Sequence, residues 1–178
     1  SIALGLGGND LIDGGAGFNI AVFTGIRGAS ELRFEEPTLG TFNVLVVGPD
    51  GVDTTTNVQA LQFSDRTTQI YGVSGVQHLV NVTFPGSGTS RFMIGDAYTG
   101  PVSGLTDEFV FPTSENINIA STLPNAFIRT GEGDDAIVVF SGRNVIDAFT
   151  GSNFLTGGSG QDTFFLDELS KFRALAPE

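Results

Sequence analysis

Residues 130–165 read TGEGDDAIV, VFSGRNVID, AFTGSNFLT and GGSGQDTFF when cut into blocks of nine. Glycine recurs at Gly133, Gly142, Gly151 and Gly160. Two positions on stands a carboxylate or its amide, at Asp135, Asn144, Asn153 and Asp162. Two further on stands a large apolar residue, at Ile137, Ile146, Leu155 and Phe164. Three columns in register over four blocks define a repeat, and a short fixed period is the mark of stacked coils. Each block divides into a six-residue turn and a three-residue strand. Glycine lets the turn take φ > 0 and lets carbonyls crowd inward. The apolar eighth residue points to the core between two outward neighbours, as the strand period of two requires. One block cannot bury that side chain alone, so the unit is stable only as an array.

The composition agrees with an all-β chain. Gly is 25 of 178 residues, Phe 16, Trp absent, and the rest is rich in Val, Ile and Thr. The only stretch with a helical pattern is a short one near Asp167–Leu175. The net charge is −12. That argues against nucleic acid, whose binders need basic patches, and against anionic membrane surfaces. Cysteine is absent, so disulfides and thiolate metal sites are excluded. No apolar run approaches the length of a transmembrane segment; Ser1 opens directly into a glycine-rich repeat with no signal-peptide pattern, and the expectation is a piece of a longer protein.

The last block is a full G-G-x-G-x-D-x-U-x nonapeptide, and the series resembles the RTX (repeats-in-toxin) calcium-binding family of secreted bacterial proteins. The resemblance implies a parallel β-roll or β-solenoid in which two blocks make one coil and each block lies on the next but one. Asp135 then stacks over Asn153, and Asn144 over Asp162. It also implies Ca2+ between stacked turns, held by turn carbonyls and sixth-position side chains, which suits a hard cation with oxygen ligands. The candidate ligating positions are Gly131, Gly133 and Asp135 with Gly151 and Asn153, and Gly142 and Asn144 with Gly160 and Asp162. This array departs from the family pattern. Each stacked pair holds one Asp and one Asn, so an amide oxygen must ligate in place of a charge. Thr130-Gly131, Val139-Phe140 and Ala148-Phe149 stand where Gly-Gly is expected. Partial loading with calcium is one reading; turns stacked without metal on Asn ladders is the other.

A second, shorter array opens the chain. GLGGNDLID (Gly5–Asp13) places Gly8, Asp10 and Ile12 in the three columns, and GGAGFNIAV (Gly14–Val22) places Gly17, Asn19 and Ala21. Gly8 and Asp10 join the candidate metal positions. The partner turn expected for Asp10 lies at 23–28, where no carboxylate stands. GVDTTTNVQALQFSD (Gly51–Asp65) resembles the DGxDTLxNVExLxFxD element that follows RTX arrays, where a hairpin caps or extends the roll. Asp53 and Asp65 are open to metal ligation, with turn and cap hydrogen bonds the favoured assignment.

The expected organisation is a short array over 1–25, a hairpin extension over 26–72, irregular solenoid coils over 73–129, the four-block array over 130–167 and a C-terminal cap over 168–178. A small β-sandwich is the alternative for 73–129, and part of a secretion signal the alternative for the C-terminus.

The sequence offers little for catalysis. His78 is the sole histidine, so HExxH and three-histidine zinc chemistry are absent. No G-x-S-x-G elbow or P-loop occurs. Neighbouring acids such as Glu35-Glu36, Asp107-Glu108 and Asp134-Asp135 point to opposite faces of a strand, which does not make an acid/base pair. The expectation is therefore a non-catalytic, calcium-binding structural module of a secreted or cell-surface bacterial protein, with the type I export route that the resemblance implies. Its expected partners are calcium and surface proteins, matrix proteins or polysaccharide, with self-assembly through exposed solenoid ends also open. An accessory module of a secreted enzyme, or a carbohydrate-binding solenoid, is the alternative.

Overall fold

The computed structural model describes residues 1–39, 41–72 and 75–166. The terminal cap expected over 168–178 lies outside them. The chain forms two compact units, Ser1–Leu79 with Arg91–Asp96, and Val80–Ser90 with Ala97–Glu178. Apart from one 3-10 turn at Arg27–Ala29, every element in the described residues is a strand.

In the first unit, β1 (Ile2–Gly5), β2 (Leu11–Asp13) and β3 (Ile20–Phe23) form the opening coil. β3 returns parallel to β1, with Ile20 opposite Ile2. The solenoid path is then interrupted. β4 (Glu31–Thr38), β5 (Thr41–Gly48) and β6 (Gly51–Thr56) make an antiparallel meander. The coil resumes where β6 lies parallel to β2, Thr54 opposite Leu11, and β7 (Ala60–Gln62) lies parallel to β3, Ala60 opposite Ile20. β8 (Thr67–Gln69) closes antiparallel on β7, and β9 (Tyr71–Gly72) pairs with β10 (Gly75–Val76). The core holds Ile12, Ala21, Leu32, Val44, Val46, Leu61 and Ile70, with Phe23 stacked on Phe63 at 5.5 Å between centroids. The eighth-position residues Ile12 and Ala21 are both in it, as the period of two demands.

Next in sequence come β11 (Leu79–Phe84), β12 (Thr89–Ile94) and β13 (Asp96–Ala97). β12 pairs antiparallel with β4 inside the first unit, Phe92 opposite Phe34.

The second unit is the more regular solenoid. One face runs β15 (Asn118–Ser121), β17 (Ala136–Val139) and β20 (Phe154–Thr156), all parallel, with Ile119, Ile137 and Leu155 in one column. β11 lies antiparallel on β15. The other face runs β14 (Asp107–Val110), β16 (Ala126–Arg129), β19 (Val145–Asp147) and β22 (Thr163–Phe165), all parallel, with Phe109, Ile128, Ile146 and Phe164 in one column. Between the faces, β18 (Ser141–Gly142) pairs parallel with β21 (Ser159–Gly160). Phe109, Ile119, Ile128, Ile137 and Ile146 are at most 2% exposed. The columns read in blocks of nine thus form the inner faces of two sheets, buried at Ile137 and Ile146, half-buried at Leu155 and exposed at Phe164, which is 39% exposed; two blocks make one coil of 18 residues. Coils of this kind begin before the array, since residues 107–129 already keep the same parallel register.

Candidate metal centre

Each sixth-position side chain of the second array reaches back to the coil before it. Asp135 Oδ1 accepts the Ile117 N–H at 3.0 Å, and Asn144 Oδ1 accepts the Ala126 N–H at 3.0 Å. Asn153 Oδ1 accepts the Asp135 N–H at 2.9 Å, and Asp162 Oδ1 accepts the Asn144 N–H at 2.9 Å. The stacked pairs are those of the 18-residue coil: Asp135 with Asn153, and Asn144 with Asp162. One oxygen of every such side chain is thereby spent on holding coils in register.

The other end of each side chain separates the acids from the amides. Asn153 Nδ2 donates to the carbonyls of Ala148 and Thr150, at 3.0 and 3.2 Å. Asn144 Nδ2 donates to the Ser141 carbonyl at 3.0 Å and to Asp162 Oδ1 at 2.9 Å. Asp135 has no such outlet. It is 2% exposed, and its Oδ2 meets only the Thr130 hydroxyl, which is buried as well; neither atom makes a hydrogen bond of good geometry. Burial pushes its carboxyl above the ordinary aspartate value, against the opposing pull of the Thr130 hydroxyl and the Ile117 N–H.

The glycines make room for this packing. A Cβ on Gly131 would run into the Thr113 carbonyl, one on Gly133 into that of Glu115, and one on Gly151 into that of Gly133. Gly160 combines both demands: its φ is +125°, and a Cβ would strike the Gly142 carbonyl. Gly142 in turn backs onto Pro124. Carbonyl oxygens are thus packed against the bare faces of the next coil.

The first array corrects one expectation. The turn ending at Asp10 does not stack on 23–28. Its partner is Gly48-Pro49-Asp50-Gly51-Val52-Asp53, which keeps glycine at the first and fourth positions and Asp at the sixth. The Asp10 N–H donates to Asp53 Oδ1 at 2.8 Å across 43 residues of sequence. Gly8 N–H donates to the Asp50 carbonyl, and Val52 N–H to Asn9 Oδ1. Gly51 has φ +140°, and a Cβ there would strike the Gly8 carbonyl. The Gly/Asp spacing at 48–53 was a signal for this turn; its strand hides it, because Thr55 takes the eighth position. Thr55 is 2% exposed and spends its hydroxyl on the Val44 carbonyl. A small cavity opens beside this turn pair, lined in part by Gly5, Gly48, Gly51 and Asp53. Residues 23–28 stack instead on the 61–66 segment, where Asp65 Oδ1 accepts the Arg27 N–H at 2.7 Å. Asn19 behaves like the later amides: its Nδ2 donates to the carbonyls of Gly15, Gly17 and Asn57.

Among the described residues no group of three or more His, Cys, Asp or Glu side chains converges on a point. A cation here would have to be held mainly by backbone carbonyls, with one or two carboxylates. The Asp135 turn fits such a role, having a buried free carboxylate oxygen. The Asp10/Asp53 pair supplies two acids in stacked turns. Asn144 and Asn153 do not fit the ligand role expected of them: their oxygens are taken by backbone N–H groups and they present hydrogens to the turn. His78 lies half-buried at φ +51°.

The RTX calcium-binding nonapeptide repeat model matches residues 2–21 and 129–164, in four copies. Both arrays are RTX calcium-binding repeats. RTX nonapeptide repeats bind calcium, and proteins that carry them are typically secreted by bacteria. The matched RTX segments leave out the turn at 48–53. No curated protein matches the chain. Among solved structures, the extracellular lipase LipA from Serratia marcescens is similar over 92% of this chain and 26% of its own, at 15% identity and a TM-score of 0.30. A likeness at that level carries no argument about fold or activity. No helix in the described residues is long and apolar enough to cross a membrane.

Proposed function

We propose that the chain is a non-catalytic structural module, stabilised by calcium, of a secreted or cell-surface bacterial protein. The observation that carries this reading is the Asp135 carboxyl, buried with one oxygen bonded to the neighbouring coil and the other without a hydrogen bond of good geometry. An uncompensated buried carboxylate is costly, so a folded chain that keeps one has a use for a counter-ion. Asp135 and the carbonyls of its turn would hold the ion in the second unit; Asp10, Asp53 and their turn carbonyls would hold one in the first. Bound calcium supplies charge neutralisation and a common oxygen-ligand centre for two stacked turns. Because those turns meet only in the folded chain, binding free energy becomes folding free energy. The net charge of −12 works in the same direction, since self-repulsion weakens the metal-free compact state.

The test is a thermal melt in calcium and in chelator, on the native chain and on Asp135→Ala and Asp53→Ala. The native midpoint should rise with calcium, and each variant should lose part of that rise. A native midpoint that does not move with calcium sinks the reading.

A further inference from the structure

We propose that the side-chain amides of Asn19, Asn144 and Asn153 are built-in replacements for the cation, so that their turns close without metal. The argument starts from which way each amide faces. A backbone N–H can only donate, so the atom that meets it must be the amide oxygen. Asn144 Oδ1 meets the Ala126 N–H, and Asn153 Oδ1 meets the Asp135 N–H. Asn19 Oδ1 accepts from the Ser1 main-chain nitrogen at 3.0 Å, which also can only donate. The orientation of all three amides is fixed from outside the turn, leaving the NH2 group to face inward.

Inside the turn that NH2 group does the work of a small positive centre. It draws in the carbonyls of Ala148 and Thr150 at Asn153, and those of Gly15, Gly17 and Asn57 at Asn19. At Asn144 it draws in the Ser141 carbonyl together with the Asp162 carboxylate. The oxygens gathered come from the same turn and, at Asn19 and Asn144, also from the stacked one. Two of the three are also fully shielded, Asn144 at 0% exposed and Asn19 at 1%. A buried amide in such a place persists because its donors are satisfied. A cation at the same point would meet N–H hydrogens and no lone pair. The chain therefore holds two kinds of turn, acid turns that take a counter-ion and amide turns that carry their own.

The substitution Asn→Asp exchanges only the NH2 group for an oxygen, and it separates this inference from an ordinary hydrogen-bond role. Asn144→Asp and Asn153→Asp are made in the full chain, with calcium stoichiometry read by isothermal titration calorimetry and melting followed in chelator and in excess calcium. Each variant is expected to melt below the native chain in chelator, to recover in calcium, and to bind one calcium ion more than the native chain. A variant that binds no extra ion and is not rescued by calcium overturns the inference. Asn153→Asp, at a half-buried site, keeps the test open should the fully buried Asn144→Asp chain fail to fold in chelator. The inference does not depend on calcium at Asp135. A native chain that binds no calcium beside a variant that binds one would remove the proposed function and leave the amide replacement standing. A calcium-binding native chain whose variants gain nothing would do the reverse.

Discussion

Asp135→Asn should stabilise the chain in chelator and cost it stability in high calcium. In the native turn Oδ1 is bonded to the Ile117 N–H and Oδ2 is buried without a hydrogen bond of good geometry. The substituted amide keeps the first contact and places two N–H donors where the orphan oxygen was. By the 18-residue register, the carbonyls that Asn153 uses at Ala148 and Thr150 correspond to those of Thr130 and Glu132 around residue 135. Removing an unsatisfied buried acceptor is worth about 2 kcal/mol, and a new net hydrogen bond about 1 kcal/mol. The variant should therefore lead by about 3 kcal/mol without metal. For a chain of this size that is a rise in melting midpoint of roughly 6–12 °C. Calcium then works for the native chain alone at this turn. Mass action gives it about 2.7 kcal/mol at a hundred times Kd and about 4.1 kcal/mol at a thousand times Kd. The two stability curves should cross between those concentrations. Calcium titrations of the melting midpoint, run side by side on both chains, locate the crossing. A variant that melts at or below the native chain in chelator would refute the orphan-oxygen argument. A variant whose midpoint rises with calcium as steeply as the native one would refute the placement of the ion.

Two other outcomes follow from the same geometry. Ile146 is 0% exposed and stacked between Ile128 and Phe164; Ile146→Ala should cost about 2–5 kcal/mol in urea unfolding. The loss should be equal in calcium and in chelator, because an apolar side chain offers a hard cation no ligand. Asp13 is held below the usual carboxylate range first by the Asn57 side chain and then by the Gly15 N–H. A depressed folded pKa contributes stability that is present above the unfolded value and lost as pH falls through the folded one. Asp13→Asn should thus flatten the acid limb of stability against pH, and parallel curves for the two chains would exclude that contribution.

The regular part of this fold was legible because its physics is local. In 130–165 the glycine column, the acid or amide column and the apolar column all recur at nine, and the coils stack at twice that spacing. What hid the rest was interruption. Between Phe23 and Gly51 the chain leaves the solenoid for the β4–β5 hairpin. The coil that covers Asp10 therefore comes 43 residues later rather than 18, and proximity in sequence pointed to the wrong partner at 23–28. The returning strand also puts Thr55 where an apolar residue belongs, and only its bond to the Val44 carbonyl lets a hydroxyl sit there. The amides are ambiguous in sequence for a different reason. Asn offers an oxygen and a nitrogen, and composition cannot say which end faces the turn. That choice is made by the N–H of the coil before, a contact 18 residues away at Asn144 and Asn153.

The alternation of acid and amide has a physical logic. Two acids at facing positions repel until a cation arrives, so an all-acid column is held apart when metal is scarce. An amide facing an acid, as in Asp135/Asn153 and Asn144/Asp162, removes that repulsion and adds donors. Asn144 shows the effect directly, bonding Asp162 Oδ1 through both its backbone N–H and its Nδ2. Asn153 likewise supports Asp135 from the following coil through the Asp135 N–H. Register in the second unit can thus be kept by groups that need no metal, while Asp135 retains the demand for one. The Asp10 and Asp53 turns have no such intermediary: the sixth-position residue is an acid in both, and the turns are joined by backbone N–H donors, to Asp53 Oδ1, to Asn9 Oδ1 and to the Asp50 and Asp10 carbonyls. Under the proposed function, metal dependence in this chain is set turn by turn, by whether the atom facing the carbonyls is an oxygen or a nitrogen.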